Sequence, residues 1–125
     1  MGIAFLGLFT TALPSPTALA SAEQLLAWRF RIRGLDPLGQ AAINNRTLFR
    51  IAGHCDTGSN TICPGDPLLN NLPTMRSNVA LRMRQVISPN GGEMWPVGTA
   101  QTISWDFAAV GGDVRVDLSV NGGSF

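Results

Sequence analysis

Residues 86–125 read VISPNGGEMWPVGTAQTISWDFAAVGGDVRVDLSVNGGSF, and this is the stretch on which the expected fold turns. Within it, residues 101–107 alternate, with Ile103, Trp105 and Phe107 on one face and Thr102, Ser104 and Asp106 on the other. Residues 113–120 repeat the pattern, setting Val114, Val116, Leu118 and Val120 against Arg115, Asp117 and Ser119. A period of two is the mark of a strand with one buried face. Turn chemistry separates the runs. Asn90-Gly91-Gly92 admits positive φ, Pro96 marks an edge position, and Asn121-Gly122 is a strong hairpin signal. Antiparallel strands burying one face are expected to form a sandwich.

Upstream, residues 25–33 end in the same alternation, Trp28, Phe30 and Ile32 opposite Arg29, Arg31 and Arg33. This predicts a half-buried strand, followed by a turn through GLDPLG at 34–39. Residues 47–52 (TLFRIA) are a shorter strand candidate, and residues 79–84 (VALRMR) alternate again. Between them, residues 53–74 are rich in Gly, Pro, Asn and Asp and read as a long loop. Such a loop is uncommon in a compact domain without a staple. Cys55 and Cys63, the only cysteines, lie inside it and are expected to form a disulfide.

The opening of the chain sets the compartment. Residues 3–13 (IAFLGLFTTAL) have the length of a signal-peptide apolar region, and Ala18-Leu19-Ala20 places small residues where a signal peptidase reads. Residues 1–22 are therefore expected to be a signal peptide, cleaved after Ala20 or Ala22, although no Lys or Arg precedes the apolar run. That run is shorter than the ~20 residues of a membrane span. No second one follows, so no span is expected in the mature chain.

Composition narrows the partners. The formal net charge of +1 gives no reason to expect nucleic acid. Residues 1–87 carry eight Arg against Glu23, Asp36, Asp56 and Asp66, a balance of +4, and residues 88–125 carry a balance of −3. There is no Lys and no Tyr.

Four chemical readings compete in the loop. Asp56-Thr57-Gly58-Ser59 matches the tetrapeptide of aspartic proteases, whose chemistry needs a second carboxylate a few ångström away. No second such motif exists and His54-Cys55 replaces the usual apolar strand, so the match is read as coincidence and Asp56 as a turn former. Asp56, Asn60 and Asp66 offer oxygen ligands without the spacing of a calcium loop. His54, Cys55 and Cys63 offer three donors at best, where a structural zinc site wants four. His54 has no nucleophile fixed beside it by any motif and reads as a loop histidine. No catalytic residue, metal or cofactor is expected.

Two resemblances complete the reading. WRFRIRGLDPLG resembles the penultimate-strand pattern of fibronectin type III and related immunoglobulin-like modules, which implies that Trp28 and Phe30 are core. SPNGGE, the following Trp95 and Gly98, TISW, and the V-x-V-x-L-S run ending in NGG resemble the module of the Kre9/KNH-type family, also called the Ser/Thr-rich GPI-anchored membrane family domain. That resemblance implies an immunoglobulin-like sandwich, a secreted or cell-surface location, and no catalytic motif. It also implies strands beyond Phe125, so the module is expected to be truncated. The sequence thus predicts an all-β, immunoglobulin/fibronectin-III-like antiparallel sandwich. Residues 1–22 would be the leader, 23–85 a β-rich segment with a disulfide loop, and 86–125 the partial module. The expected function is a non-catalytic module for cell-wall or carbohydrate association, adhesion or spacing. Its partners would be cell-wall polysaccharide or other domains of a parent protein, with Trp95 the residue that stacks on sugar. The alternative is an accessory segment of a secreted hydrolase, a peptidase or glycosidase, whose catalytic domain lies outside this chain.

Overall fold

Ser15 accepts a hydrogen bond from the Ala18 N–H through its hydroxyl, and Pro16 occupies the first helical turn. That is an N-cap followed by proline at a position where no donor is lost, and it opens helix α1 (Pro16–Arg31). Ala22, Glu23, Leu26, Ala27 and Phe30 line its buried face. The helix closes on Gly34, whose φ is 58°. Leu35 N–H donates to Phe30 and Gly34 N–H to Arg31, the paired bonds of a Schellman cap. The residues expected to form an Arg-striped strand are thus the last turns of a helix. Phe30 is in the core, but Trp28 is 58% exposed, which corrects its expected core position.

Strands β1 (Gln40–Ile43) and β2 (Arg46–Phe49) follow as an antiparallel hairpin in which Ile43 faces Arg46. Asn44 and Asn45 turn it with φ of 50° and 60°, the left-handed pair of a type I′ turn. Helix α2 (Asp66–Met83) comes next, with Asp66 in its first turn, where a carboxylate suits the helix dipole. Leu68, Leu72, Met75, Val79, Ala80 and Met83 bury one stripe of it, and Arg76 is buried among them. Residues 66–74 of the expected loop and residues 79–83 of the expected 79–84 strand belong to this helix. Leu81, which a strand would set on one face with Val79 and Met83, is 57% exposed while those two are buried.

The structure is a computed structural model, and it describes residues 1–106, 113, 115–117 and 119. The two helices pack on each other around Leu26, Ala27, Phe30, Ile51, Leu68, Leu72, Met75, Val79, Ala80 and Met83, with Phe5, Leu19 and Leu69 at the edge. Strands β3 (Gln85–Ser88) and β4 (Ser104–Asp106) form a second antiparallel pair, irregular between Val86 and Ser88. The architecture is therefore mixed α/β, two packed helices and two small two-stranded sheets, and the all-β immunoglobulin-like sandwich is overturned. The expected strand 113–120 and the Asn121-Gly122 hairpin fall largely outside the described residues. Among the described residues, no helix is long and apolar enough to cross a membrane.

One buried polar bridge locks the helix pair. Glu23 accepts from Asn78 Nδ2 at 2.7 Å on one oxygen and from Arg82 Nε and Nη2 at 3.1 and 3.0 Å on the other. Both carboxylate oxygens are thereby satisfied, as a buried anion requires. Residues read as a leader take part in this core. Ala18-Leu19-Ala20 lies within α1, Ala22 and Glu23 are buried, and Phe5 packs against the cluster.

Candidate functional site

A cavity of about 580 Å³ opens between the N-terminal segment and the helix pair. Its walls come from three stretches, residues 1–10, residues 50–54 and residues 61–65, and its floor from Leu26, Leu68, Leu72 and Met75 of the core. That is the size and apolar lining of a small-molecule site. A Cβ on Gly65 would run into the Phe9 carbonyl oxygen, so glycine there lets the N-terminal segment lie against the start of α2.

The polar wall is built by the 53–65 loop. Asp56 Oδ2 accepts from the Gly53 N–H at 2.8 Å, closing a single turn of 3₁₀ helix (Cys55–Thr57) that ends on Gly58, φ 87°. Cys55 N–H then donates to the Cys63 carbonyl at 2.9 Å. This backbone bond closes the loop in place of the expected Cys55–Cys63 disulfide, because both cysteines are free thiols. Their side chains serve different surroundings. Cys55 Sγ packs toward Gly53, where an added Cβ would meet it at 3.3 Å, whereas Cys63 is exposed and lines the cavity. His54 lines the same cavity and is exposed. The loop therefore places His54 and Cys63 in the lining of one apolar cleft. Among the described residues, no group of three His, Cys, Asp or Glu is placed to hold a metal ion.

Arg76, which the sequence did not mark, holds this wall to α2. Its Nε donates to the Ile51 carbonyl at 2.8 Å and its guanidinium lies 4.0 Å over the Phe49 ring. Burial pushes its pKa down, and the nearby Asp56 carboxylate opposes the shift. A guanidinium stays protonated through such a shift, so Arg76 is a fixed charge that ties β2, the loop and α2 together. Asp56 is consequently engaged in loop closure and in this charge contact. Asp66 begins α2, and Asn60 is exposed in the loop.

Trp95, the expected sugar-stacking residue, lies in irregular chain between β3 and β4, is 42% exposed and does not line the 580 Å³ cavity. Trp105, expected in the core, is equally exposed on β4. It lines a second cavity of about 270 Å³ with Arg84, Val86, Asp106, Asp113 and Arg115. Compared with known protein families, curated proteins and solved structures, the chain matches none.

Proposed function

We propose that the chain is a segment of a hydrolase, contributing an apolar cleft and two ligand-type side chains, His54 and Cys63. The observation that carries this is their shared position on the wall of the 580 Å³ cavity. A thiolate is a soft donor and a neutral imidazole a borderline one, both suited to zinc, and a catalytic zinc takes three protein ligands and keeps one position for water. In this reading the chain supplies two of those ligands, and a further side chain of the working enzyme supplies the third. The zinc would lower the pKa of its bound water and so make a nucleophile beside an apolar substrate pocket.

Zinc titration of the full chain by calorimetry tests the proposal. Binding is expected to be lost in His54→Ala and in Cys63→Ser, and retained in Cys55→Ser. No zinc binding by the unaltered chain, or equal loss in Cys55→Ser, would overturn the assignment. A second, non-catalytic reading rests on the half-exposed indole of Trp95, which is accessible for stacking on a sugar ring. It predicts β-glucan binding that Trp95→Ala abolishes.

A further inference from the structure

Helix α1 carries apolar side chains on two opposite faces. One face, with Leu26 and Phe30, belongs to the core. On the other, Leu25, Trp28 and Ile32 are 45%, 58% and 53% exposed. Their spacing of three and four residues sets them in one stripe, which runs from the middle of the helix to its C-cap. Single exposed apolar residues are ordinary on a protein surface, whereas a contiguous stripe marks a contact. None of the three lines the 580 Å³ or the 270 Å³ cavity, so the stripe is a face to lie on something rather than part of a cleft.

The charges around it indicate what it lies on. By helical spacing Arg29 and Arg31 border the stripe on either side, and Arg33 follows it. Arg31 is paired with Asp106. Among the described residues, Arg29 and Arg33 enter no ion pair. The neighbouring acids are engaged elsewhere. Glu23, the only acid of α1, is buried on the core face and bonded to Asn78 and Arg82. Asp36, in the turn after the helix, accepts from the Leu38 N–H. The stripe is thus apolar, centred on an indole and rimmed by uncompensated guanidinium groups.

We infer that this face of α1 docks on an anionic lipid surface, with Leu25, Trp28 and Ile32 at the boundary of headgroups and acyl chains and Arg29 and Arg33 on the headgroup anions. An indole sits well at that boundary because its body is apolar and its N–H polar. Arginine stems lie along apolar surface while their charges reach the headgroups. A helix so composed lies in the plane of the interface and needs no membrane span. The docking is independent of the cleft and of any metal at His54 and Cys63.

Co-sedimentation of the full chain with vesicles of phosphatidylcholine, and with vesicles that also contain phosphatidylserine, separates the apolar and the charged contributions. The chain is expected to favour the anionic vesicles. Arg29→Gln and Arg33→Gln should each weaken that binding about fivefold, the effect of one basic residue near an anionic surface, and leave binding to neutral vesicles unchanged. Trp28→Ser should weaken both. Leu6→Ser, in the exposed N-terminal segment, should weaken neither, and circular dichroism shows that each variant keeps its fold. Absence of binding, equal binding to the two vesicles, or a loss in Leu6→Ser matching that in Trp28→Ser would overturn the inference. Self-association abolished by Trp28→Ser, without vesicle binding, would assign the face to a second copy of the chain instead.

Discussion

Glu23 shows how much one side chain can hold at the centre of this molecule. It is buried, and among the described residues its compensation comes from Asn78 and Arg82 on the other helix. Glu23→Ala leaves those groups without their acceptor and opens a gap between the helices, at an expected cost of about 1–3 kcal/mol. The midpoint of urea unfolding reads it directly, and a change below a few tenths of a kcal/mol would show that the bridge contributes nothing net. Glu93 behaves differently because it is fully exposed. Hydrogen bonds from the N–H groups of Asn90, Glu93 itself and Gly91 hold its pKa below the usual carboxylate value. A lowered folded-state pKa means that the turn is stabilised above the unfolded carboxylate value. That stabilisation is lost as pH falls through the lowered one. A carbon-detected NMR titration should place Glu93 below an unstructured glutamate, and a midpoint at or above that reference would refute the turn geometry.

The elements explain why an alternating pattern misled. The run Trp28 to Arg33 fits a strand and a helix end equally, because six residues cannot separate a period of two from one of 3.6. The deciding information lay outside it, in the Ser15-Pro16 cap and the spacing of Ala22, Leu26, Ala27 and Phe30. Helix α2 was hidden differently. Leu68, Leu72, Met75, Val79 and Met83 are spaced four, three, four and four apart, which is helical. Pro67, Pro73, Asn70 and Asn71 masked that spacing with turn-like composition, and tertiary packing overrode it. Mutation separates the two geometries. Val79→Ala and Met83→Ala should each cost about 1–5 kcal/mol through lost burial and cavity formation. Leu81→Ala should stay within about 0.5 kcal/mol, whereas a strand would make all three costly. In the hairpin, Asn44→Ala should destabilise by about 1 kcal/mol, since alanine resists the left-handed conformation that Asn44 adopts.

At the scale of the whole molecule, the charge asymmetry visible in the sequence becomes a contact. Arg31 Nη2 reaches Asp106 Oδ2 at 2.8 Å, joining the basic N-terminal part to the acidic C-terminal part. Both groups are partly exposed, so the pair is worth no more than about 1 kcal/mol. The cleft was not legible in the sequence, because its walls are assembled from segments some fifty residues apart. His54 and Cys63 were recognised as donors there, but nothing local placed both on one cavity. The first 22 residues supply another test at this scale. Their removal would take away the Ser15 cap, the opening of α1 and the packing of Phe5 and Leu19. A chain beginning at Glu23 is expected to lose its cooperative thermal transition by far-ultraviolet circular dichroism. Retention of an unchanged transition would mean that the core does not need them.

The three indoles have a practical consequence. Trp28, Trp95 and Trp105 are all between 42% and 58% exposed, and the chain has no Tyr. Every ultraviolet-excited emitter above phenylalanine is therefore in contact with water while the helices are intact. The native protein should already fluoresce at long wavelength, and melting of the two-helix core should barely change the spectrum. Ligand titrations followed by emission would report on the outer surfaces of α1 and β4, and an unfolding curve taken that way would look flat while the molecule came apart.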